Sequence, residues 1–346
     1  MSGEIVLLFG GPTRERLVSV ASAQNVATLL DAPRCCFWAP DGAVFEVALA
    51  DLARHERPFE REFRPGAPPA WRELKRALDD FASERGTVFL GLHGGVAENG
   101  TLQGWLEEAG ICFTGSGSAA SRDAFDKVRA REILSREGVE VADASVVDGS
   151  DVPRARARLL DLLERHTRLV LKPVADGSSM GLHFVNGPEG VEPALRELKD
   201  DAQPYLAEAF VSGTELTVGV IDDENGLRAL PCSEIRVPPG GAFGYDAKYL
   251  GQGAREITPA EVASEIAAAA QALALTAHRA LGCYGYSRTD LIVSRDELVF
   301  LETNTLPGLT QASFIPQQLA CAGMPMRGFL ARQIALARRR SGASGR

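Results

Sequence analysis

The chain has 346 residues, 45% of them hydrophobic and 24% charged, with a formal net charge of -9 at pH 7. Single hydrophobic cores stop growing near about 250–300 residues, so this length predicts two or three folding units. The acidic balance excludes a broad nucleic-acid-binding surface as the main business, but not a local cleft for a small phosphorylated ligand.

From the N-terminus, "EIVLLFGG" reads as a buried strand closing on a glycine turn, and "LVSVASAQNVATLL" follows with helical spacing of its apolar residues. A strand "CCFWAP", a polar, proline-bearing stretch from Arg54 to Pro69, a helix near 70–83 and a strand "TVFLGLHGG" continue the alternation. Units of this kind predict a parallel sheet with helices on its faces. The small residues of "GICFTGSGSAAS" mark a boundary near residue 116. Beyond it come a helix over about 118–137, a strand with a loop, a helix across "DVPRARARLLDLLERH", the strand "RLVLKPV", and two strands around Gly213 in "PYLAEAFVSGTELTVGVID". The remainder reads as mixed α+β. The expected segments are 1–116, 117–212 and 213–340, and the tail "ARRRSGASGR" looks disordered, residues 341–346 lying outside the last segment.

Six cysteines, Cys35, Cys36, Cys112, Cys232, Cys283 and Cys321, form no CxxC pair and no Cys/His cluster. Reduced, mostly buried thiols are expected, not a zinc site or a disulfide framework. The opening "MSGEIVLLFGG" has no basic segment ahead of an apolar one. No stretch approaches about 18 uninterrupted apolar residues either, so the expectation is a cytoplasmic protein without a membrane partner.

The chemistry concentrates in "GYSRTDLIVSRDELVFLETNTLPG". Arg288 and Asp290 are two apart, as are Glu302 and Asn304, so each pair occupies one face of its strand. If the turn is centred on Asp296 with three or five loop residues, Asp290 lies opposite Glu302 and Arg288 opposite Asn304; an even loop sends the pairs to opposite faces. Aligned, the carboxylates and amide form an all-oxygen cluster suited to Mg²⁺, with Arg288 beside it to stabilise an oxyanion. The other reading is a charged edge hairpin with a surface salt bridge. Leu291, Ile292, Val299 and Leu301 weigh against it, because unpaired charges amid such residues are expensive.

Together "LHGGVAENGTLQG", "LKPVADGSSMGL", "DAKYL", "RTD" and "LETNTLPGLT", in this order over nearly the whole chain, resemble the D-alanine–D-alanine ligases of the ATP-grasp superfamily. The resemblance implies a three-domain ATP-grasp fold, α/β and α+β in class, with an N-terminal parallel, Rossmann-like α/β domain. It also implies ATP-dependent joining of two D-alanines through a D-alanyl phosphate for peptidoglycan precursor synthesis, by a homodimer. A related ligase with another second substrate, such as D-serine, D-lactate or a secondary-metabolite amino acid, is the alternative. A non-catalytic ATP-binding module is disfavoured, since it would not need an oxyanion arginine.

By the same resemblance Asp290, Glu302 and Asn304 hold two Mg²⁺ ions, with Mn²⁺ able to replace them, while Arg288 and the backbone at Gly308 stabilise the tetrahedral intermediate. Lys127, Lys172, Ser179 and Lys248 fall with the ATP phosphates, Glu208 with the adenine and Glu215 with the ribose hydroxyls. Glu15 is placed on the ammonium group of the first D-alanine, with Ser178 and Tyr249 as its partners, tying the mobile loop that carries "YDAKYLG" down over the site. His93 and Ser313 are placed as substrate contacts, Ser313 on the second carboxylate. Tyr249 favours an amine nucleophile over D-lactate. Leu17, Ala97 and Asn99 depart from the family pattern, Glu98 is retained, and the hairpin before Glu302 is one residue short.

Overall fold

A computed structural model describes residues 4–176, 181–199, 201, 203–223, 225–236 and 255–343. The described residues form three sheets. The first has the order β3-β2-β1-β4-β5, from β1 (Ile5–Gly10), β2 (Arg34–Trp38), β3 (Val44–Val47), β4 (Thr87–Leu92) and β5 (Cys112–Phe113). β1 pairs in parallel with both β2 and β4, and β4 with β5, as the alternating pattern predicts. The central strands are buried on both faces, which is why "IVLLFG" and "TVFLGL" read as unbroken apolar runs. β3 was not expected; it is an antiparallel edge strand folded back on β2. Helix α1 (Arg16–Ala27) follows β1. Neighbouring strands leave β1 in opposite directions in chain order, and a crevice at the carboxyl ends of such strands is where ligands bind in open α/β sheets.

The Arg54–Pro69 stretch follows a short helix, α2 (Leu49–Arg54), and precedes α3 (Leu74–Ser83). It is not a loose surface excursion. Phe63 is 8% exposed, packed edge-on against Phe37 at 5.2 Å between ring centroids and tilted against Phe9 at 6.2 Å.

After α4 (Thr101–Glu108), the single helix expected over 118–137 is two: α5 (Ser118–Phe125) and α6 (Lys127–Arg136). The break is at Asp126, whose extended backbone and side chain cap α6 by accepting from the N–H groups of Val128 (2.9 Å) and Arg129 (3.1 Å).

The second sheet has the antiparallel order β6-β9-β7-β8, from β6 (Ala144–Val147), β7 (Arg168–Pro173), β8 (His183–Asn186) and β9 (Tyr205–Ala209). Helices α7 (Val152–Arg165) and α8 (Val191–Lys199) enclose its own core, including Leu159, Leu162, Leu169, Leu171, Leu195 and Leu198. Alternation along β7 sends Leu169 and Leu171 into that core and leaves Lys172 on the other face.

The third sheet runs β13-β12-β10-β14-β15, with β11 also on β10. Its strands are β10 (Thr214–Asp223), β11 (Gly226–Ala229), β12 (Ser233–Arg236), β13 (Arg255–Ile257), β14 (Tyr286–Ser294) and β15 (Glu297–Asn304). One face, with Leu216, Val218, Val220 and Leu291, packs against Ala270 and Ala274 of the alanine-rich helix α9 (Ser264–Ala280). Period-two alternation therefore presents Glu215, Thr217, Arg288 and Asp290 on the opposite face. Helices α10 (Phe314–Cys321) and α11 (Met326–Ala343) complete the chain. A continuous core joins the first sheet to Ile221, Tyr286, Leu306, Ile315, Phe329 and Leu330 of the third segment.

Two expectations need correction. The last helix runs to Ala343, so most of the supposed disordered tail is helical. Its Arg340 guanidinium lies 4.1 Å from the Phe113 ring centroid and donates to the carbonyls of Phe113 and Gly115. All six cysteines are free, but Cys112 and Cys283 are half-buried and Cys321 is exposed. Among the described residues no helix is long and apolar enough to cross a membrane.

The anchoring of the excursion makes Phe63→Ala a costly change, about 3 kcal/mol for deletion of a buried ring. Urea unfolding should show the loss; a change below about 0.5 kcal/mol, the range of ordinary surface substitutions, would mean that the ring anchors nothing.

Candidate active site

β14 and β15 meet at the floor of a cleft between the first and third segments. Arg288 pairs with Asn304 and Asp290 with Glu302, the alignment expected from an odd loop. The loop is even. Ser294 pairs with Glu297 across a two-residue turn, Arg295-Asp296, both with positive φ as a type I′ turn requires. The register then shifts between Asp290 and Leu291, because Leu291 faces Phe300 while Asp290 faces Glu302, leaving Leu301 as an extra residue on β15. This bulge offsets the parity of the turn and returns Glu302 and Asn304 to the face of Arg288 and Asp290.

Asp290 is 5% exposed and surrounded by donors. Arg288 approaches it through Nε to Oδ1 (2.9 Å) and Nη2 to Oδ2 (2.7 Å), Asn304 Nδ2 donates to Oδ2 (3.3 Å), and the Thr217 hydroxyl donates to Oδ1. Glu302 lies 3.7 Å from the Lys127 ammonium. Asp126 capping places Lys127 at the first position of α6, where its N–H donates to Val174 O (3.0 Å) and its Nζ to Asp176 O (2.6 Å). Burial lowers the Lys127 pKa, opposed chiefly by Glu302. The helical lysine is therefore not a solvated surface charge.

Lys172 pairs with Glu208, which is 4% exposed and also held by Arg131. Arg131 further donates to Ala142 O. The sequence reading missed Arg131, although its place four residues after Lys127 on one helix face was available as a signal. Glu215 is half-buried on β10, two residues from Thr217 and on the same sheet face. Thr217 was also missed, and that i+2 relation would have found it.

The opposite wall comes from the carboxyl ends of β1 and β4. Glu15, at the start of α1, is 7% exposed, and Gly94 makes room for it: a Cβ at Gly94 would fall 1.6 Å from Glu15 Oε2. His93 lines the same cleft with both ring nitrogens engaged, Nδ1 with Leu306 O (2.8 Å) and Nε2 with Ser22 Oγ (3.0 Å). A carbonyl only accepts, so Nδ1 carries the proton and Nε2 accepts from Ser22. Burial pushes the His93 pKa down to about 4, with Arg288 adding to the shift. This neutral ring pins the Leu306–Leu309 segment, whose Leu309 N–H also donates to Ser22 Oγ (3.3 Å).

Glu98 is buried and accepts from the N–H groups of Gly94 (2.8 Å) and Leu306 (3.3 Å). Burial, reinforced by the nearby Glu15 charge, pushes its pKa up to about 8. Ser313, just before α10, closes the preceding turn by accepting from Thr310 N (3.1 Å), beside Gly308, where a Cβ would come within 2.7 Å of the Ser313 hydroxyl. Phe59 also lines the cleft, from irregular backbone in which no hydrophobic period marks it. Of the departures, Ala97 is buried in a short turn and accepts from Gln103, and Asn99 accepts from Thr101 N (3.0 Å) at the start of α4. Ser178, Ser179, Lys248 and Tyr249 lie outside the described residues.

The cleft thus combines carboxylate and amide oxygens and an arginine at one end, where the buried Lys127 backs Glu302, with a buried pair of acids at the other; the half-buried Lys172 lies beyond, against Glu208. Such an arrangement can neutralise a polyphosphate while holding a small cationic group. Among the described residues no group of three or more His, Cys, Asp or Glu gathers into a metal cage.

A model described as "D-ala D-ala ligase N-terminus" matches residues 4–116, and one described as "D-ala D-ala ligase C-terminus" matches 133–335. The D-alanine–D-alanine ligase of Leptospira interrogans serovar Lai is 34% identical over 354 aligned residues, covering 98% of this chain and 99% of the relative. That of Syntrophobacter fumaroxidans is 36% identical over 338, covering 96% and 97%. Among solved structures, the VanG D-Ala:D-Ser ligase from Enterococcus faecalis superposes with a TM-score of 0.81 at 26% identity, covering 97% of this chain and all of that one. The ligase from Coxiella burnetii shares the fold with a TM-score of 0.79 at 24% identity, covering 99% and 96%.

Glu98 predicts a pH signature. Its carboxyl ionises at an ordinary 4.5 when unfolded and at about 8 when folded, so the folded state holds the extra proton between those values. The stabilisation is therefore full below the unfolded value and is lost as pH rises through the folded one. In thermal melts from pH 5 to 8, Glu98→Gln should gain steadily on the wild type; parallel curves would contradict the assignment.

Proposed function

We propose, starting from a chain that belongs to the D-alanine–D-alanine ligase family, that it joins two D-alanines at the expense of ATP, for peptidoglycan precursor synthesis. The observation that carries the reading is the one-faced array of Arg288, Asp290, Glu302 and Asn304, with Lys127 against Glu302, at the floor of a cleft that Glu15 enters from the other side.

A carboxylate is a poor electrophile, and transfer of the terminal phosphoryl group from ATP gives it a leaving group. The amine of a second D-alanine then attacks the carbonyl, and phosphate departs. Lys127 and Lys172 hold and neutralise the polyphosphate. Arg288, with the backbone of Gly308, faces the charge that builds on the carbonyl oxygen as the tetrahedral intermediate forms. Glu15 takes the ammonium of the first amino acid, and Ser313 the carboxylate of the second. Ser178 and Tyr249 act with Glu15, and Ser179 and Lys248 with the phosphates. Glu208 and Glu215 serve the nucleoside, Glu208 oriented by Arg131 and Lys172. His93 acts by holding the Leu306–Leu309 turn over the cleft.

Asp290, Glu302 and Asn304 also fit Mg²⁺. Their donors are oxygens, and both carboxylates already lie against cationic side chains. Bound there, Mg²⁺ would offset phosphate charge during transfer. The three-segment division, a homodimer and a cytoplasmic setting belong to the same proposal.

Phosphate release with ATP, Mg²⁺ and D-alanine, followed by mass detection of D-alanyl-D-alanine, tests the reading; release without dipeptide would refute it. Glu302→Ala should lower D-alanine-dependent ADP formation by about 10³-fold, the several kcal/mol expected of a lost phosphate-site charge. Its circular dichroism should be unchanged, and turnover within tenfold of wild type would remove Glu302 from the site.

A further inference from the structure

The excursion after α2 does more than fill the first core. Its anchors surround one residue. Phe63 is buried against Phe9 and Phe37, and His55 meets it edge-on at 5.3 Å. Gln24 of α1 donates to the carbonyls of Leu52 (2.8 Å) and His55 (2.7 Å), fixing the entry. Glu62 receives Arg16 through two guanidinium nitrogens, Nε at 2.7 Å, and Arg16 is the residue next to Glu15. Between these anchors the Arg57 carbonyl accepts from the N–H groups of Glu60 and Arg61, both at 3.0 Å, closing a turn that carries Phe59 into the cleft.

Among the described residues, the first 116 contribute Glu15, Phe59, His93 and Glu98 to the cleft lining, and Phe59 is the apolar one. We infer that Phe59 is a specificity-determining residue: its ring forms the apolar wall beside the amino acid whose ammonium Glu15 holds, and limits the size of that amino acid's side chain. The inference rests on the ligase reading above. The Arg16–Glu62 pair carries the argument, because it ties the loop bearing Phe59 to the residue adjoining Glu15. Neither anchor depends on the third segment, so the wall belongs to the first substrate and leaves choice of the second to other residues.

In a ligase of this kind the phosphorylated amino acid becomes the N-terminal residue of the dipeptide, so the two positions can be read separately. The full chain, Phe59→Leu and Phe59→Ala would each be given ATP, Mg²⁺ and D-alanine in competition with D-2-aminobutyrate, and the dipeptides sequenced by fragmentation. One methylene in an apolar pocket commands about 10–200-fold discrimination. Phe59→Ala should therefore raise the D-2-aminobutyrate to D-alanine ratio at the N-terminal position at least about tenfold, with the C-terminal ratio unmoved and Phe59→Leu between. Glu62→Gln should move the ratio the same way in the wild type and add nothing to Phe59→Ala. An unmoved N-terminal ratio, or equal change at both positions, overturns the role of Phe59. Failure of the wild type to make any dipeptide from D-alanine overturns the ligase reading instead.

Discussion

The structure depends on one extra residue. Leu301 sits in the β14–β15 ladder where Asp290 and Leu291 give it no partner, and the strand on its far side is thereby turned over. A two-residue turn alone would place Glu302 and Asn304 among the residues that pack toward α9. The bulge places them instead beside Arg288 and Asp290, so that one sheet face is apolar core and the other carries chemistry. Burying charge on that second face is expensive. Here the expense is met locally: Asp290 has Arg288, Thr217 and Asn304, and Glu302 has Lys127.

The remaining elements act on this floor through specific ties. Asp126 breaks what would be one helix, and the break brings Lys127 to Val174 and Asp176 at the end of β7. The same helix carries Arg131 back to Glu208, which Lys172 also meets from within the second sheet, so a buried charge pair couples that sheet to the helix bearing Lys127. From the other side His93 and Glu98 both bond the backbone of Leu306, so the strand ends of the first sheet hold the turn that follows β15. A shared core packs the first and third segments together, while the second sheet keeps a core of its own and reaches the site through its polar ties.

Much of this was legible where physics repeats along the sequence. Period-two spacing paired Arg288 with Asp290 and Glu302 with Asn304, and unbroken apolar runs identified the buried parallel strands. The pairing across the hairpin was anticipated from an odd turn, yet it arises from an even turn and a bulge. A bulge has no signature in the hydrophobic pattern. The break at Asp126 was hidden because helical periodicity continues through it and a capping aspartate resembles any surface acid. Phe63 and Phe59 lie in irregular backbone, where neither period applies and only tertiary contact distinguishes a buried ring from an exposed one. The helical end of the tail escaped because its arginines read as solvated, whereas Arg340 stacks on Phe113 and caps two carbonyls.

The claim that the Leu301 bulge aligns the site can be tested by altering parity twice. Deleting Leu301 leaves an unbulged hairpin on the same two-residue turn, with Glu302 still opposite Asp290 and Asn304 opposite Arg288, so D-alanine-dependent phosphate release should be largely retained. Inserting one alanine between Leu301 and Glu302 in the full chain adds a second residue on that strand, turns Glu302 and Asn304 toward α9, and should abolish the release in a protein whose circular dichroism is unchanged. Loss of release in a folded deletion variant, or full activity in the insertion variant, would contradict the account.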